Sequence, residues 1–260
     1  MHRLIDSIVV YFLRHRFRGA TRLRNIFCRS RRLPVRTKHG IRLLVDPFQG
    51  IDTVILESGF YEEEVYRAVA RNLKPHDVFW DVGANLGLHS LTVKSKFPSV
   101  DVFAFEPNPA MVSLLHRSCD TNGLEINIHP VALDAHDGSA EFFIHADNAG
   151  RCGMYNRNAD PDLPRLNVET SSGDSLIADG AAKPPNVIKI DVEGHELPAL
   201  HGIRRVLESP SLRAVVFEDV SDQSSPVKQF LSGYGFAIDR LSRMESTQHN
   251  LENYVATRAA

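Results

Sequence analysis

Cysteine is scarce in this chain. There are three in 260 residues, Cys28, Cys119 and Cys152, and no C-x-x-C pair. So sparse and odd a set argues against a disulfide framework and a zinc site, and it fits a reducing compartment. Apolar runs are short of the about 20 residues that span a bilayer. The N-terminus has no small-residue cleavage site after a clean apolar core, so a signal peptide is not expected. The expected location is cytoplasmic. Also lacking is G-x-G-x-x-G, the spacing that seats a dinucleotide pyrophosphate on bare backbone, which disfavours an NAD-dependent oxidoreductase. What is present, 43% apolar and 24% charged residues, is the composition of a soluble globular protein with a core. The length allows one large domain, or one large and one small.

The formal net charge of −2 hides an asymmetry. Residues 1–40 carry eleven Lys and Arg against one acid, Asp6, a net +10, and the other 220 residues carry −12. Within this basic arm Leu4, Ile5, Ile8, Val9, Phe12 and Leu13 recur at helical spacing, and arginines follow from Arg14 to Arg32. Such a segment either lies peripherally on the inner membrane surface, drawn by anionic lipid, or packs on the body with a solvated basic face. Nucleic acid is disfavoured, because no aromatic stacking platform is interleaved with the charges. Residues 41–76 read as a lead-in strand, Ile41–Val45, and a capping helix, Phe60–Val69. Tyr61 and Glu62 are placed either as a lid or, by residue type, on a solvated helix face. Residues 77–260 read as the main domain.

That domain is organised around Asp77–Leu91. A short apolar run ends in Asp81, a turn follows from Gly83 to Gly87, and a helical run begins at Leu88. Strand, tight turn and helix make the first unit of a nucleotide-binding α/β sheet. Glycine admits backbone angles and close approaches that a side chain forbids. Free N–H groups at the helix start favour polar or anionic ligand groups. The spacing D-x-G-x-N-x-G resembles motif I of class I S-adenosylmethionine (SAM) methyltransferases. There the acid suits the ammonium of the amino-acid tail and the glycine turn suits its carboxylate. The candidate contacts in this turn are Asp81, Gly83, Ala84, Asn85 and Gly87.

A second strand, Val100–Phe105, ends at Glu106-Pro107-Asn108-Pro109. An acid there accepts hydrogen bonds from ribose hydroxyls, so Glu106 and Asn108 join the candidates. A third strand is expected over Ile126–Ala132, with Asp134 beyond it where an adenine amino group would lie. Ala140–Ile144 reads as half of a hairpin, and the loop 146–167, with Arg151, Cys152, Tyr155 and Arg157, as either a binding loop or plain surface. Val187–Ile190 is a buried parallel strand in which Lys189 and Asp191 share a face. A lysine there needs an acidic partner. His195 opens the next helix and is the base candidate by its ordinary pKa. A fifth strand, Arg213–Phe217, ends at Glu218. Asp191 and Glu218 then come from neighbouring strand ends and either bind a divalent metal, share base duty toward a hydroxyl, or sit as a loop pair, the last preferred over the metal. No metal is expected. Phe236–Ile238 and Tyr254–Ala256 read as an antiparallel closing pair.

Three segments together, Phe79–Gly87, Phe105–Asn108 and Lys189–Glu196, resemble the FkbM-type family of SAM-dependent methyltransferases over roughly residues 55–220. The Lys-Ile-Asp-Val-Glu-Gly run is the specific part. The resemblance implies a Rossmann-like, mostly parallel seven-stranded sheet with helices on both faces, SAM as cofactor, and transfer to a hydroxyl on a sugar, glycan or natural product. It implies that Asp81, Gly83, Asn85 and Glu106 hold the cofactor and that Asp191 lies near the transfer site. Lys189, His195 and Glu218 complete the catalytic candidates. A non-catalytic module anchored by its basic arm is the rival from another class, and oligomeric state is open.

Overall fold

The structure is a computed structural model that describes residues 10–13, 32–145, 152–154, 162–220, 222, 224–241 and 251–258. The expectations for most of the basic arm, and for Arg151, Tyr155 and Arg157, lie outside these residues.

Strands β1 (Leu33–Arg36) and β2 (Arg42–Val45) form an antiparallel hairpin. Alternation turns Leu33, Val35, Leu43 and Val45 inward. The hairpin straddles the expected boundary between the arm, 1–40, and the lead-in, 41–76. Helix α1 (Gly50–Ser58) was not foreseen. Asp52 explains its position: the carboxylate accepts the Asp46 amide at 2.6 Å and Arg32 Nη1 at 2.9 Å, tying helix to hairpin. Gly59, at φ +82°, ends the helix in the left-handed conformation that glycine adopts freely. Helix α2 (Glu63–Asn72) follows.

The main domain runs β3 (Val78–Val82), α3 (Leu88–Lys96), β4 (Asp101–Phe105), α4 (Pro109–Asn122), β5 (Asn127–His129), β6 (Ala132–Leu133), β7 (Gly138–Phe143) and β8 (Arg165–Ser171). It continues with α5 (Gly173–Ala178), β9 (Val187–Ile190), α6 (Glu196–His201), α7 (Arg204–Glu208), β10 (Ala214–Val220), α8 (Pro226–Gly233), β11 (Phe236–Arg240) and β12 (Leu251–Arg258). Among the described residues seven strands make the main sheet, in the order β11-β12-β10-β9-β3-β4-β5. Its strands pair in parallel except β12, which is antiparallel to both β10 and β11. The Rossmann-like expectation and the closing pair are therefore met.

Both faces of the central strands are buried, which is why they read as near-continuous apolar runs. Trp80, Phe105, Ile188 and Phe217 turn to one face and pack with Leu200, Ile203 and Leu231 from α6 to α8. Phe79, Val102, Val187 and Val216 turn to the other and pack with Val65 and Val69 of α2 and Val93 of α3.

The expected strand over 126–132 is two strands. Only Asn127–His129 pairs with β4. Pro130, which has no N–H to donate, breaks the run. Ala132–Leu133 then joins β8 and β7 in a separate three-stranded sheet. This small sheet places Phe142, Cys152 and Met154 beside the carboxyl ends of the main strands.

Candidate active site

A cleft opens at those carboxyl ends, lined by apolar side chains with a few converging polar groups. Its floor is the β3–α3 turn. Gly83 and Ala84 donate their amides to Phe105 O at 3.0 and 3.1 Å, which ties the turn to β4. Gly83 has φ +78°, and a Cβ there would stand 1.9 Å from Asp191 O, so the ends of β3 and β9 touch because position 83 has no side chain. Gly87 has φ +85° and lies against Leu115 of α4.

Glu106 sits on one wall, 5% exposed. Its Oε2 accepts the Asn85 amide and its Oε1 the Asn108 amide, both at 2.8 Å. Each oxygen keeps a lone pair for a ligand hydroxyl. Burial pushes the carboxyl up to about 7, against the pull of the two amides. Around it the wall is apolar: Phe105, Met111, Val131, Leu133, Phe142 and Met154.

The opposite wall is charged. Lys189, buried in β9, lies 3.3 Å from Asp81 Oδ1 and 3.4 Å from Asp191 Oδ2, and donates to Gly83 O at 3.2 Å. Burial opposes its charge, but Asp81, Asp191 and Glu62 outweigh that and raise its pKa above 10.5. Asp191, Glu193 and Glu218 bring carboxylate oxygens within 4.8 Å of one another. Burial and then the neighbouring Asp191 push Glu218 up to about 9, so it holds its proton at neutral pH.

The site residues expected from sequence divide into two groups. Gly83, Ala84, Asn85, Glu106, Asn108, Lys189, Asp191 and His195 line the cleft. Asp81, Gly87, Asp134 and Glu218 do not. Asp81 shares the inward face of β3 with Phe79, and its carboxylate is engaged by Ser90 N at 3.0 Å, Ser90 Oγ at 2.5 Å and the Lys189 pair. It supports the turn from beneath. Asp134 is bound by His195 Nε2 at 3.1 Å, a contact that fixes the ring His195 presents. Glu218 stands behind Asp191.

Four cleft residues had no assigned role or an open one. Tyr61 and Glu62 come from the loop before α2, and Glu62 faces the cleft rather than water. His89 lies one residue beyond the glycine turn's helix start, and burial followed by the Lys189 charge lowers its pKa to about 4, so it is neutral. Glu193 sits inside the Lys-Ile-Asp-Val-Glu-Gly run and carried no assignment of its own.

The donor set fits SAM. Asn85 Oδ1 and His89 Nδ1, on residues that line the cleft, are buried side-chain atoms with no hydrogen-bond partner among the described residues. Buried polar atoms are rarely left so unless a ligand completes them. The apolar wall beside Glu106 suits an adenosine.

A mostly parallel sheet with a glycine turn after β3 and an acid at the end of β4 is a nucleotide-binding α/β architecture. The chain belongs to the FkbM methyltransferase family, whose domain model matches residues 81–238. The hexuronic acid methyltransferase AglP of Haloferax volcanii is 32% identical over 148 residues, 57% of this chain and 59% of that protein. The 31-O-demethyl-FK506 methyltransferase FkbM of Streptomyces tacrolimicus is 27% identical over 207 residues, 68% of this chain and 79% of that protein. This chain thus spans less than two thirds of the Haloferax relative. Among solved structures, the tRNA (uracil-54, C5)-methyltransferase of Pyrococcus abyssi with S-adenosylhomocysteine matches with a TM-score of 0.50 at 11% identity, covering 87% of this chain and 44% of that one. That is a likeness of fold alone. Among the described residues no helix is long and apolar enough to cross a membrane.

Proposed function

We propose that this protein is a SAM-dependent O-methyltransferase whose acceptor is a hydroxyl of a sugar, glycan or small natural product. The observation that carries the reading is the division of one cleft into a Glu106 side fit for a nucleoside and a carboxylate side fit for an acceptor. The activities for which the Haloferax and Streptomyces relatives are named support a small-molecule acceptor.

The bound cofactor supplies an activated methyl group on a sulfonium. The chain then has two tasks. It must hold the acceptor oxygen in line, since alignment provides most of what such a transfer needs. It must also accept the hydroxyl proton as the new bond forms. Glu106, Asn85 and the 83–87 turn hold the cofactor. Asp81 and Lys189 act from beneath, fixing the turn and Asp191. Asp191 and His195 face the acceptor.

The test is a screen of sugars and hydroxylated natural products with SAM, scored by S-adenosylhomocysteine release. The reading expects turnover on a hydroxyl, lowered in Asp191→Asn because the acceptor is less well aligned, with unchanged S-adenosylhomocysteine affinity. Methylation of nitrogen or carbon acceptors alone would overturn it. Unchanged turnover in Asp191→Asn would remove that residue from the mechanism.

A further inference from the structure

Building on the O-methyltransferase reading, we propose that Glu62 is the catalytic carboxylate that takes the acceptor hydroxyl's proton, with Asn253 as the residue that positions it. Both lie outside the segment 81–238 that matches the family.

Three independent observations place Glu62 at the chemistry. First, it lines the cleft together with Asp191 and Lys189. Second, its backbone is in the left-handed region, φ +52° and ψ +58°. Among the described residues four non-glycine residues have positive φ: Glu62, His76, Asn85 and Glu193. Three of these line the cleft, and strained backbone of this kind collects where a side chain must be aimed at a ligand. Third, Asn253 of β12, 3% exposed, donates its Nδ2 to Glu62 Oε1 at 3.0 Å across 191 residues of chain. The closing strand thus fixes one oxygen of a carboxylate that the cleft receives.

The two acids expected from the sequence to serve as base are less suited to the task. Asp191 is paired with the Lys189 ammonium, and Glu218 does not reach the cleft. The charged and titratable groups facing Glu62 are Asp191 and Lys189 from the end of β9, Glu218 from β10, and Tyr61 and Glu64 from its own segment. Burial and then Asp191 push Glu62 up to about 7, which matches proton acceptance at neutral pH. In the step, the O–H bond breaks and its proton passes to Glu62. The freed electron pair of the oxygen forms the bond to the methyl carbon, and the methyl's former bonding pair leaves with sulfur. Glu62 later returns the proton to water.

The experiment compares Glu62→Gln, Glu62→Gly and Asn253→Ala with the full wild-type chain. Glycine removes the carboxylate but relieves the backbone, so it guards against a folding failure of the glutamine variant. Both Glu62 variants should bind S-adenosylhomocysteine as wild type does and lose 10²-fold or more in kcat, with little change in acceptor KM. Asn253→Ala should move the acidic limb of the kcat/KM profile to higher pH, because the lost donor no longer favours the ionised carboxylate. Carboxyl carbon NMR of the cofactor-free chain should show Glu62 titrating near neutrality, and higher in Asn253→Ala. Wild-type kcat in either Glu62 variant, or a Glu62 that titrates as an ordinary surface glutamate, would overturn the proposal while leaving the O-methyltransferase reading in place. Absence of hydroxyl methylation by the wild-type chain would overturn both.

Discussion

Replacing Lys189 with methionine should cost this fold more than any other single change in the cleft. The stem of the side chain is conserved in volume, so the loss is electrostatic. Asp81, 1% exposed, and Asp191 would be left without their cation. Removing one partner from a buried ion pair costs about 3–5 kcal/mol. For a domain of this size that corresponds to a fall in Tm of roughly 6–20 °C. The loss should depend on pH. In the wild type the folded pKa of Lys189 lies above its ordinary 10.5, so its contribution is complete below that value and disappears only as pH rises through the higher folded pKa. In the variant the unpaired Asp81 is costly when ionised and is relieved by a proton, so the deficit should be larger at pH 8 than at pH 5. Trp80, the one tryptophan, is buried and donates its indole N–H to Lys183 O at 2.9 Å, which makes its fluorescence a reporter of unfolding. Asp81→Asn combined with Lys189→Met should recover part of the loss, since the two sites are coupled. A loss below about 1 kcal/mol in Lys189→Met, or one equal at both pH values, would refute the reasoning, because a buried unpaired charge costs more than that.

Other expectations concern the turn, the nucleoside wall and pH. Gly83→Ala combines a left-handed backbone with a Cβ placed 1.9 Å from Asp191 O, so it should lower stability by about 2 kcal/mol or more and weaken S-adenosylhomocysteine binding in calorimetry. Wild-type stability and affinity would contradict the close contact of β3 and β9. Glu106→Gln leaves one acceptor oxygen for two amides, so denaturant unfolding should show a loss of about 1–3 kcal/mol, with weaker cofactor binding. Asp52, Glu62, Glu106 and Glu218 have folded pKa values raised to about 6, 7, 7 and 9. Each holds more protons folded than unfolded, so stability should fall as pH rises from about 4 toward 9. A Tm of the cofactor-free chain at pH 9 equal to or above that at pH 6 would contradict this.

Much of the site was legible because it is built from local patterns. A glycine turn after an apolar run fixes a strand-turn-helix unit, and Glu106 ends the next run at the offset that unit implies. The adjacency of Asp191 and Glu218 followed from placing β9 between β3 and β10. What was not legible depends on which way a side chain turns or on distant chain. Asp81 looked like a cofactor ligand, but alternation along β3 aims it at Lys189 and Ser90. Asp134 was set beside an adenine, yet His195 binds it. Helix α1 carries no clear start signal in Asp46–Gly50; its anchor is Asp52, held by Arg32 from before β1. Nothing in residue type separates Glu62 from Glu63 and Glu64. One meets Asn253 and the cleft, while Glu63 pairs with Lys38 and His39.

The measurement that decides whether this cleft is a SAM site is calorimetric titration of the purified chain with S-adenosylhomocysteine, with NAD as the control. Micromolar binding of S-adenosylhomocysteine, weakened tenfold or more by Glu106→Gln, with no binding of NAD, is the result expected. Binding of NAD alone, or of neither by folded protein, would contradict the assignment of the glycine turn, Asn85 and Glu106 to that cofactor.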